Sequence, residues 1–176
     1  MNVNSIAYSN PIDLTPADVA TIGTALKTID FAAYSLTEPR ICAALLAAAN
    51  RGIVVSIYLD RSEVEAEAKG NPAMPTSALS TLFNHPGIAI KVKHSMILMH
   101  LKSYCIDKAV VRDGSANFSP QGEEQQDNSM LLTDDPDHVQ KFIDKFNAMW
   151  LRQDNLTILE AVEKPNMGSA ASHHMR

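Results

Sequence analysis

The sequence predicts an α/β fold with a mixed, largely parallel β-sheet flanked by helices. Three observations support this prediction: a strand–helix–strand pattern over residues 30–59, four further strand-like runs between residues 88 and 133, and an amphipathic helix at 136–151. The chain has 176 residues, 45% of them of apolar type, which suits one compact domain with its own core. We therefore expect one folded domain over residues 1–155 and a flexible C-terminal tail over residues 156–176, whose end shows no periodicity.

The strand–helix–strand pattern begins with residues 30–35, which are typical of a strand. Residues 38–50 are rich in Ala and Leu and are followed by Gly52, so they predict a helix with a glycine at its end. Residues 53–59 form a continuous run rich in β-branched residues, which is typical of a strand buried on both faces. This order of elements predicts a βαβ unit with parallel strands.

The rest of the chain shows the same two periodicities. Further helices are predicted at 16–29, with Thr15 as N-cap, at 77–85 and at 136–151, and further strands at 88–93, 101–107, 108–113 and 128–133. The apolar residues of the last helix recur at helical spacing and predict a buried face. Residues 61–76 are less regular: their first half can begin a helix, and their Pro-rich second half predicts a loop.

Composition restricts the class of protein. No apolar run reaches the roughly 18 residues that a membrane span needs, so no stable membrane insertion is expected. The N-terminus lacks a signal-peptide pattern, which predicts a cytoplasmic protein; a mature form would look the same, so a periplasmic or secreted protein stays open. The net charge of −5 argues against a nonspecific nucleic-acid coat, but it is compatible with a locally basic cleft. Cys42 and Cys105 lack zinc-ligand spacing and are expected to be buried thiols.

The residues that suggest chemistry lie between positions 100 and 128. His100 and Lys102 are two residues apart, so on a predicted strand both side chains would point to one face. Ser115 and Asn117 are also two residues apart and follow the next predicted strand, and they offer a hydroxyl and an amide as hydrogen-bond donors. If the two pairs converge, they form a pocket with one nucleophile or base and several donors, which suits the charged oxygens of a phosphate group.

The joint pattern is more specific than its parts and resembles a known motif. The pattern H-x-K-x4-D followed by G-S-x-N is similar to the HKD motif of the phospholipase D superfamily, and here it consists of His100, Lys102, Asp107, Gly114, Ser115 and Asn117. Residues 33–60 and the segment Tyr8-Ser9-Asn10 also resemble the small bacterial single-motif endonucleases of the Nuc type. The resemblance covers most of residues 6–152 and implies a phospholipase D-like fold.

The resemblance implies a metal-independent phosphodiesterase that needs no cofactor. His100 would attack the phosphorus and form a phosphohistidine, and the same residue of a second subunit would protonate the leaving group and then activate water. Lys102, Ser115 and Asn117 would hold the phosphate oxygens. Because the chain has one H-x-K motif and the mechanism uses two histidines, the resemblance implies a homodimer with its active site across the two-fold axis.

Family members also place an acidic residue after the G-S-x-N segment, where it orients the histidine. Asp127 is the candidate, reached by allowing a one-residue gap, and it would be Asp where close relatives have Glu. Glu123 and Glu124 are alternatives, although a solvated loop is the simpler interpretation for both. Asp107 is expected to hold a turn rather than to take part in the chemistry.

Three functions stay open at this point. The short chain favours a nuclease, namely an endonuclease with little sequence specificity acting on DNA or RNA, since lipid-hydrolysing relatives usually carry two motifs in a longer chain. A phospholipase D-type lipid phosphodiesterase acting on phospholipid is the alternative, supported by the apolar run 96–99, for which a buried strand is the simpler interpretation. The third is a catalytically weak nucleic-acid-binding dimer, which the intact motif disfavours. His94 is expected to be a loop residue, with contact to a substrate phosphate as the alternative.

Overall fold

The computed structural model describes residues 3–69, 78–95 and 97–163, which form a seven-stranded sheet in the order β1-β7-β6-β5-β2-β3-β4. The strands are β1 (Ser5–Tyr8), β2 (Thr28–Ala33), β3 (Val54–Leu59), β4 (Ile88–Val92), β5 (Lys102–Ile106), β6 (Val110–Gly114) and β7 (Ser129–Thr133). The helices are α1 (Thr15–Gly23), α2 (Pro39–Asn50), α3 (Arg61–Lys69), α4 (Pro136–Trp150) and α5 (Ile158–Glu163), with a 3-10 turn at Ala78–Leu82 and a π-helical turn at Gln121–Gln125.

The sheet is mixed, as predicted, but its parallel part is small. β2 pairs with β3 and β3 pairs with β4 in parallel, and the predicted βαβ unit is β2–α2–β3. The other four strand pairs are antiparallel. The sheet is mixed as expected, but most of its strand pairs are antiparallel, so the expectation that it is largely parallel is wrong. A parallel pair needs a long crossover, whereas β5 and β6 follow each other through a tight turn and can pair only in opposite directions.

Helices cover both faces of the sheet because successive strand residues point to opposite sides. Phe31 and Ala33 of β2 face the core under α1, α2 and α5, and Ala32 faces the core under α4. The predicted apolar stripe of α4 is buried at Val139, Phe142, Phe146 and Met149. Cys42 and Cys105 are buried free thiols, as predicted. Within the described residues, no helix is long and apolar enough to cross a bilayer, and no three His, Cys, Asp or Glu side chains lie where one metal ion could bind them.

Two predicted helices are shorter than the sequence indicates. The helix expected at 16–29 ends at Gly23, because Thr28 and Ile29 pair with β3 at the start of β2. Its N-cap is Leu14, without a side-chain hydrogen bond, and not Thr15. The helix expected at 77–85 is the 3-10 turn, and residues 70–77 of the expected loop lie outside the described residues.

The domain extends further than expected at its C-terminal end. The backbone amide of Leu156 donates to the carbonyl of Val92 at 2.9 Å, and Ala161 of α5 is fully buried in the core. A tail beginning at residue 156 is therefore wrong for residues 156–163, which pack against β4 and α3. Residues 164–176 lie outside the described part of the chain.

Asp107 holds the turn between β5 and β6, as predicted. Asp107 and Lys108 both have positive φ values, 53° and 56°, as in a type I′ turn. The Asp107 carboxylate accepts hydrogen bonds from the backbone amides of Leu26, Lys27 and Thr28 at 2.8, 2.7 and 2.8 Å. These three bonds connect the turn to the start of β2, the strand with which β5 pairs.

The pairing directions bring seven chain segments to one edge of the sheet, which we call the site edge. It is formed by the ends of β1, β2, β3, β4 and β6 and by the beginnings of β5 and β7. Residues next to these ends are distant in sequence but meet in space. The two halves of the HKD-like motif, before β5 and after β6, both lie there.

Replacing Asp107 with asparagine tests the turn anchor. Burial raises the pKa of the Asp107 carboxyl, but three backbone amide donors outweigh this, and the pKa lies below its ordinary value of 3.8. A depressed folded-state pKa means that the carboxylate stabilises the fold above the unfolded pKa and loses this contribution as the pH falls through the folded value. We expect Asp107→Asn to lower the free energy of unfolding by about 1–3 kcal/mol at neutral pH.

Urea unfolding at neutral pH and near pH 3 measures both effects, and the difference between the two chains should shrink at the lower pH. Asp137→Asn is the matched control, because Asp137 is exposed and pairs with Lys141 at 3.8 Å on the surface of α4. It should change stability by less than about 0.5 kcal/mol. Equal losses in the two variants would contradict the anchoring role of Asp107.

Candidate active site

His100 lies at the site edge, directly before β5. Its side chain is exposed, and its ring packs edge-on against the ring of Tyr34, with centroids 4.6 Å apart and planes at 62°. Tyr34 follows β2, and its backbone amide donates to the carbonyl of Leu101 at 2.8 Å. The aromatic contact orients the imidazole and leaves it open to a large substrate.

Lys102 is buried beside this histidine, with only 5% of its surface exposed. Its ammonium donates to the backbone carbonyl of His100 at 2.8 Å and lies 4.8 Å from the centroid of the Tyr34 ring. Burial lowers the pKa of Lys102 to about 8, against the opposing influence of the Glu63 and Asp60 carboxylates. The lysine therefore supplies a positive charge next to the imidazole, and Tyr34 contacts both residues.

The predicted arrangement of this pair needs one correction. β5 begins at Lys102, so His100 precedes the strand instead of lying on it. The His100 side chain is exposed and the Lys102 side chain is buried, and both contact the ring of Tyr34. Their common contact with Tyr34 brings them together, and sequence reasoning missed Tyr34 because an aromatic residue at the end of a strand usually belongs to the core.

Ser115 and Asn117 follow β6 at the same edge. The exposed Ser115 hydroxyl donates to Oδ1 of Asn128 at 3.0 Å and accepts from the amide of Ser129 at 2.9 Å. The side-chain oxygen of Asn117 is buried and has no hydrogen-bond partner within the described residues. Such an amide can turn its NH2 group toward a phosphate without breaking an existing bond of its oxygen. The backbone of Asn117 packs so closely on Gly122 that a Cβ there would collide with the Asn117 carbonyl oxygen.

One buried arginine joins the two halves of the site. Arg112 of β6 is fully buried, and its Nη1 donates to the carbonyls of Lys102 at 2.7 Å and Ala116 at 3.2 Å. Ala116 lies between Ser115 and Asn117, so a single guanidinium nitrogen sets the spacing between the two residue pairs. Sequence reasoning missed Arg112, because arginine is rarely fully buried and nothing in its neighbourhood in the sequence reveals its partners.

Two buried carboxyl groups contact the guanidinium of Arg112. It pairs with Asp18 of α1 and with Glu123, each at 3.2 Å. Burial, and then the charge of Asp18, raises the pKa of Glu123, which favours a proton on Glu123 that can be donated to Asp18. Oε2 of Glu123 is buried and has no hydrogen-bond partner within the described residues. The solvated loop expected for Glu123 is therefore wrong, whereas Glu124 is partly exposed and pairs with Arg40.

Asp127, the candidate acidic residue, lies at the site edge and contacts Asn10. Its exposed carboxylate accepts from Nδ2 of Asn10 at 3.1 Å, and within the described residues no hydrogen bond or ion pair joins it to His100. Asn128 lies at the site instead, where its amide group accepts from Ser115 and donates to a backbone carbonyl at 3.0 Å. The orienting role of Asp127 stays a prediction. Sequence reasoning missed Asn128, although it directly precedes β7 at the site edge.

Asp60 positions the backbone that leads into His100. It follows β3, is buried, and accepts from the amide of Met99 at 2.6 Å and from the amide of Ser62 at 2.9 Å. Because Met99 directly precedes His100, this carboxylate anchors the histidine through its backbone. The signal in the sequence was a carboxylate placed directly after a buried strand.

The loop before His100 corrects another expectation. Met99 is buried in the core under α4, but Ile97 and Leu98 are 78% and 49% exposed. Residues 97–99 form no strand, so the buried strand expected for 96–99 is wrong, and Met96 lies outside the described residues. His94 lies in an exposed loop, as predicted.

Known proteins are similar to this chain in sequence and in fold. A family model described as "Cardiolipin synthase, PLD-like domain" matches residues 19–150. The chain is similar to the mitochondrial cardiolipin hydrolase of Xenopus laevis, with 26% identity over 142 residues that cover 81% of this chain and 63% of the relative. It is also similar to a phospholipase D of Rickettsia bellii, with 26% identity over 140 residues that cover 79% and 65%. The chain thus spans less than two thirds of these relatives.

Two solved structures share the fold over nearly their whole length. Nuc from Salmonella typhimurium, a phospholipase D family member, superposes with a TM-score of 0.69 at 22% identity, covering 86% of this chain and 97% of Nuc. NucT from Helicobacter pylori superposes with a TM-score of 0.67 at 22% identity, covering 83% and 95%. The fold expected from the motif is therefore confirmed.

Proposed function

The chain belongs to the family of the phospholipase D-like domain of cardiolipin synthase, and on this premise we propose that it is a metal-independent nuclease with little sequence specificity. The observation that carries the proposal is the convergence of an exposed His100, a buried Lys102 and the donors of Ser115 and Asn117 at one edge of the sheet. A nucleophile, a fixed positive charge and hydrogen-bond donors are what phosphoryl transfer requires of a protein.

The reaction proceeds in two balanced steps. In the first, an imidazole nitrogen of His100 attacks the phosphorus, the bond to the leaving oxygen breaks, and His100 of the partner subunit gives that oxygen a proton. In the second, the same partner histidine takes a proton from water, the water oxygen attacks the phosphorus, and the phosphorus–nitrogen bond breaks. Both histidines return to their starting states.

Lys102, Ser115 and Asn117 stabilise the charge that gathers on the non-bridging oxygens. The Ser115 hydroxyl gives up its bond to Asn128 when it turns toward a phosphate. These groups engage phosphate and not bases, which accounts for little sequence preference. The Asp127 carboxylate, exposed at the same edge, is proposed to orient the histidine of the partner subunit.

The two curated relatives point to a second candidate, a phospholipid as substrate. The exposed pair Ile97 and Leu98 beside His100 favours it, because apolar side chains next to a reactive centre suit a lipid surface. In a nuclease the same side chains can pack against sugars and bases. A comparison of cleavage rates on nucleic acid and on phospholipid therefore has to decide between the two candidates.

The direct test offers DNA, RNA and phosphatidylcholine vesicles to the protein in the presence of EDTA. We expect nucleic acid to be cleaved and the rate to persist in EDTA. His100→Ala should lower kcat/KM by about a thousandfold or more, because it removes the nucleophile and its partner at once. His85→Ala is the matched control, since His85 bonds to Asn50 at 3.1 Å away from the site edge.

Full activity of His100→Ala on every cleaved substrate would refute the mechanism. Cleavage of the lipid alone would refute the nuclease proposal and establish the second candidate. Loss of all activity in EDTA would show that the reaction depends on a metal ion.

The low pKa of Lys102 predicts a pH dependence. Its folded-state pKa of about 8 means that the ammonium is charged below this pH and loses its proton above it. We expect kcat/KM to fall above about pH 8, because a neutral amine cannot stabilise the phosphate oxygens. In Lys102→Arg the guanidinium stays charged throughout, so the residual activity should lack this decline. A decline that persists unchanged in Lys102→Arg would assign it to another group.

A homodimer is part of the proposal, because the mechanism uses two copies of His100 and each chain supplies one. We expect specific activity to fall on dilution as dimers dissociate, in step with the dimer fraction measured by sedimentation. A monomer in sedimentation that turns over substrate at full rate would rule out a shared site.

A further inference from the structure

A second cluster of positive charge lies at the site edge, beyond β4. It lines a cavity of about 400 Å³ between the loop after β4 and the C-terminal end of α4. We call it the basic pocket, and its charged residues are Lys93, His94, Lys145, Arg152 and Asp154. The exposed Leu98 forms part of its wall.

The described carboxylates neutralise the basic pocket only in part, through Asp154 near His94 and the charge of Asp60 near Lys93. Lys93 is only 8% exposed, and its ammonium donates to the backbone carbonyl of Ile97. Within the described residues no carboxylate forms an ion pair with Lys93, Lys145 or Arg152. Burial and the neighbouring charge of Arg152 lower the pKa of Lys93.

Lys93 donates to a backbone carbonyl and Arg152 to the Tyr58 hydroxyl at 3.4 Å, so both have polar partners but no ion pair within the described residues. An anion from outside can supply the counter-charge. In a chain of net charge −5, unpaired cations lining one pocket mark a place that selects for negative charge. The one carboxylate in the pocket, Asp154, lies 3.7 Å from His94 and does not contact the lysines.

The position of the basic pocket relates it to the reactive histidine. β4 lies three strands from β5 in the order β5-β2-β3-β4, so the ends of these two strands are about 14 Å apart, and Leu98, two residues before His100, lines the pocket between them. Both lie at the same edge, and the loop of residues 93–99 connects them. A single strand of nucleic acid carries a phosphate on every nucleotide and can place one at each position.

We propose that the basic pocket binds a second phosphate of the nucleic-acid strand whose scissile phosphate lies at His100, an inference that rests on the proposed function. A phospholipid offers one phosphate, or two at a fixed short spacing, whereas a nucleic-acid strand repeats its phosphate on every nucleotide and can place one in the pocket while another lies at His100. This repetition favours a polymer over a lipid. The pocket selects for substrates long enough to reach it.

The test uses charge reversal on the exposed surface of α4. Lys145→Glu places a carboxylate in the basic pocket, and Lys141→Glu, one helical turn earlier, is the matched control because Lys141 is exposed and pairs with Asp137 outside the pocket. The substrates are a single-stranded octanucleotide and a dinucleoside monophosphate, which has one phosphodiester. We expect the ratio of their kcat/KM values to fall several-fold in Lys145→Glu and to stay unchanged in Lys141→Glu.

Binding of the labelled octanucleotide, followed by fluorescence anisotropy as a function of salt, is measured separately from cleavage. The slope of log K against log salt should decrease by about 0.7 for each phosphate that the Lys145→Glu variant no longer binds. Equal behaviour of the two variants would overturn the inference even if nucleic acid is cleaved. Loss of cardiolipin-vesicle binding in Lys145→Glu, with octanucleotide binding unchanged, would overturn it in favour of a lipid. If no nucleic acid is cleaved, the proposed function fails, and the binding measurement still decides whether the pocket takes phosphate.

Discussion

The buried guanidinium of Arg112 is the constraint on which the site depends. Its position is fixed, because it bonds to two carbonyls of the motif and to the carboxyl groups of Asp18 and Glu123. Removing one partner of a buried ion pair costs about 3–5 kcal/mol, whereas replacing a whole network by apolar residues can be neutral. The role of the network is therefore to position residues. It fixes the spacing between Lys102 and the Ser115–Asn117 segment, whereas an apolar core would leave this spacing free to adjust.

The topology turns this spacing into a site. Antiparallel pairing of β5 with both β2 and β6 brings Tyr34, Lys102 and Ser115 to one edge, although more than eighty positions separate the first and last of them in the sequence. Lys102 stays charged at neutral pH despite its burial because the Glu63 and Asp60 carboxylates oppose the lowering of its pKa, and the His100 carbonyl and the Tyr34 ring face the ammonium. An ammonium held in this way is ready for an anion and needs little rearrangement when a phosphate arrives.

Much of this was accessible from the sequence, for reasons that can be stated residue by residue. Local periodicity predicts the βαβ unit and α4, and the motif predicts the turn at Asp107. The structure confirms all three. The proportion of parallel pairing and the burial of Glu123 could not be predicted, because both depend on contacts between residues far apart in the chain. The same holds for Asp60 and Arg112, whose roles consist of hydrogen bonds to backbone that no local pattern encodes. Ile97 and Leu98 are exposed although their side chains are apolar. Such a conflict between residue type and environment is expected at a functional surface.

The net charge of −5 and the proposed anionic substrate are compatible once distance is considered. At physiological ionic strength charges are screened over about 8 Å. The summed charge of the chain therefore has little influence on His100 or on the basic pocket, where local cations decide the field. What links the two sites is the covalent continuity of a strand that occupies both: once one phosphate is bound, the next is held at a high effective concentration. An acidic protein can thus favour a polyanion over a short diester by the spacing of two local cation sites, without a basic surface.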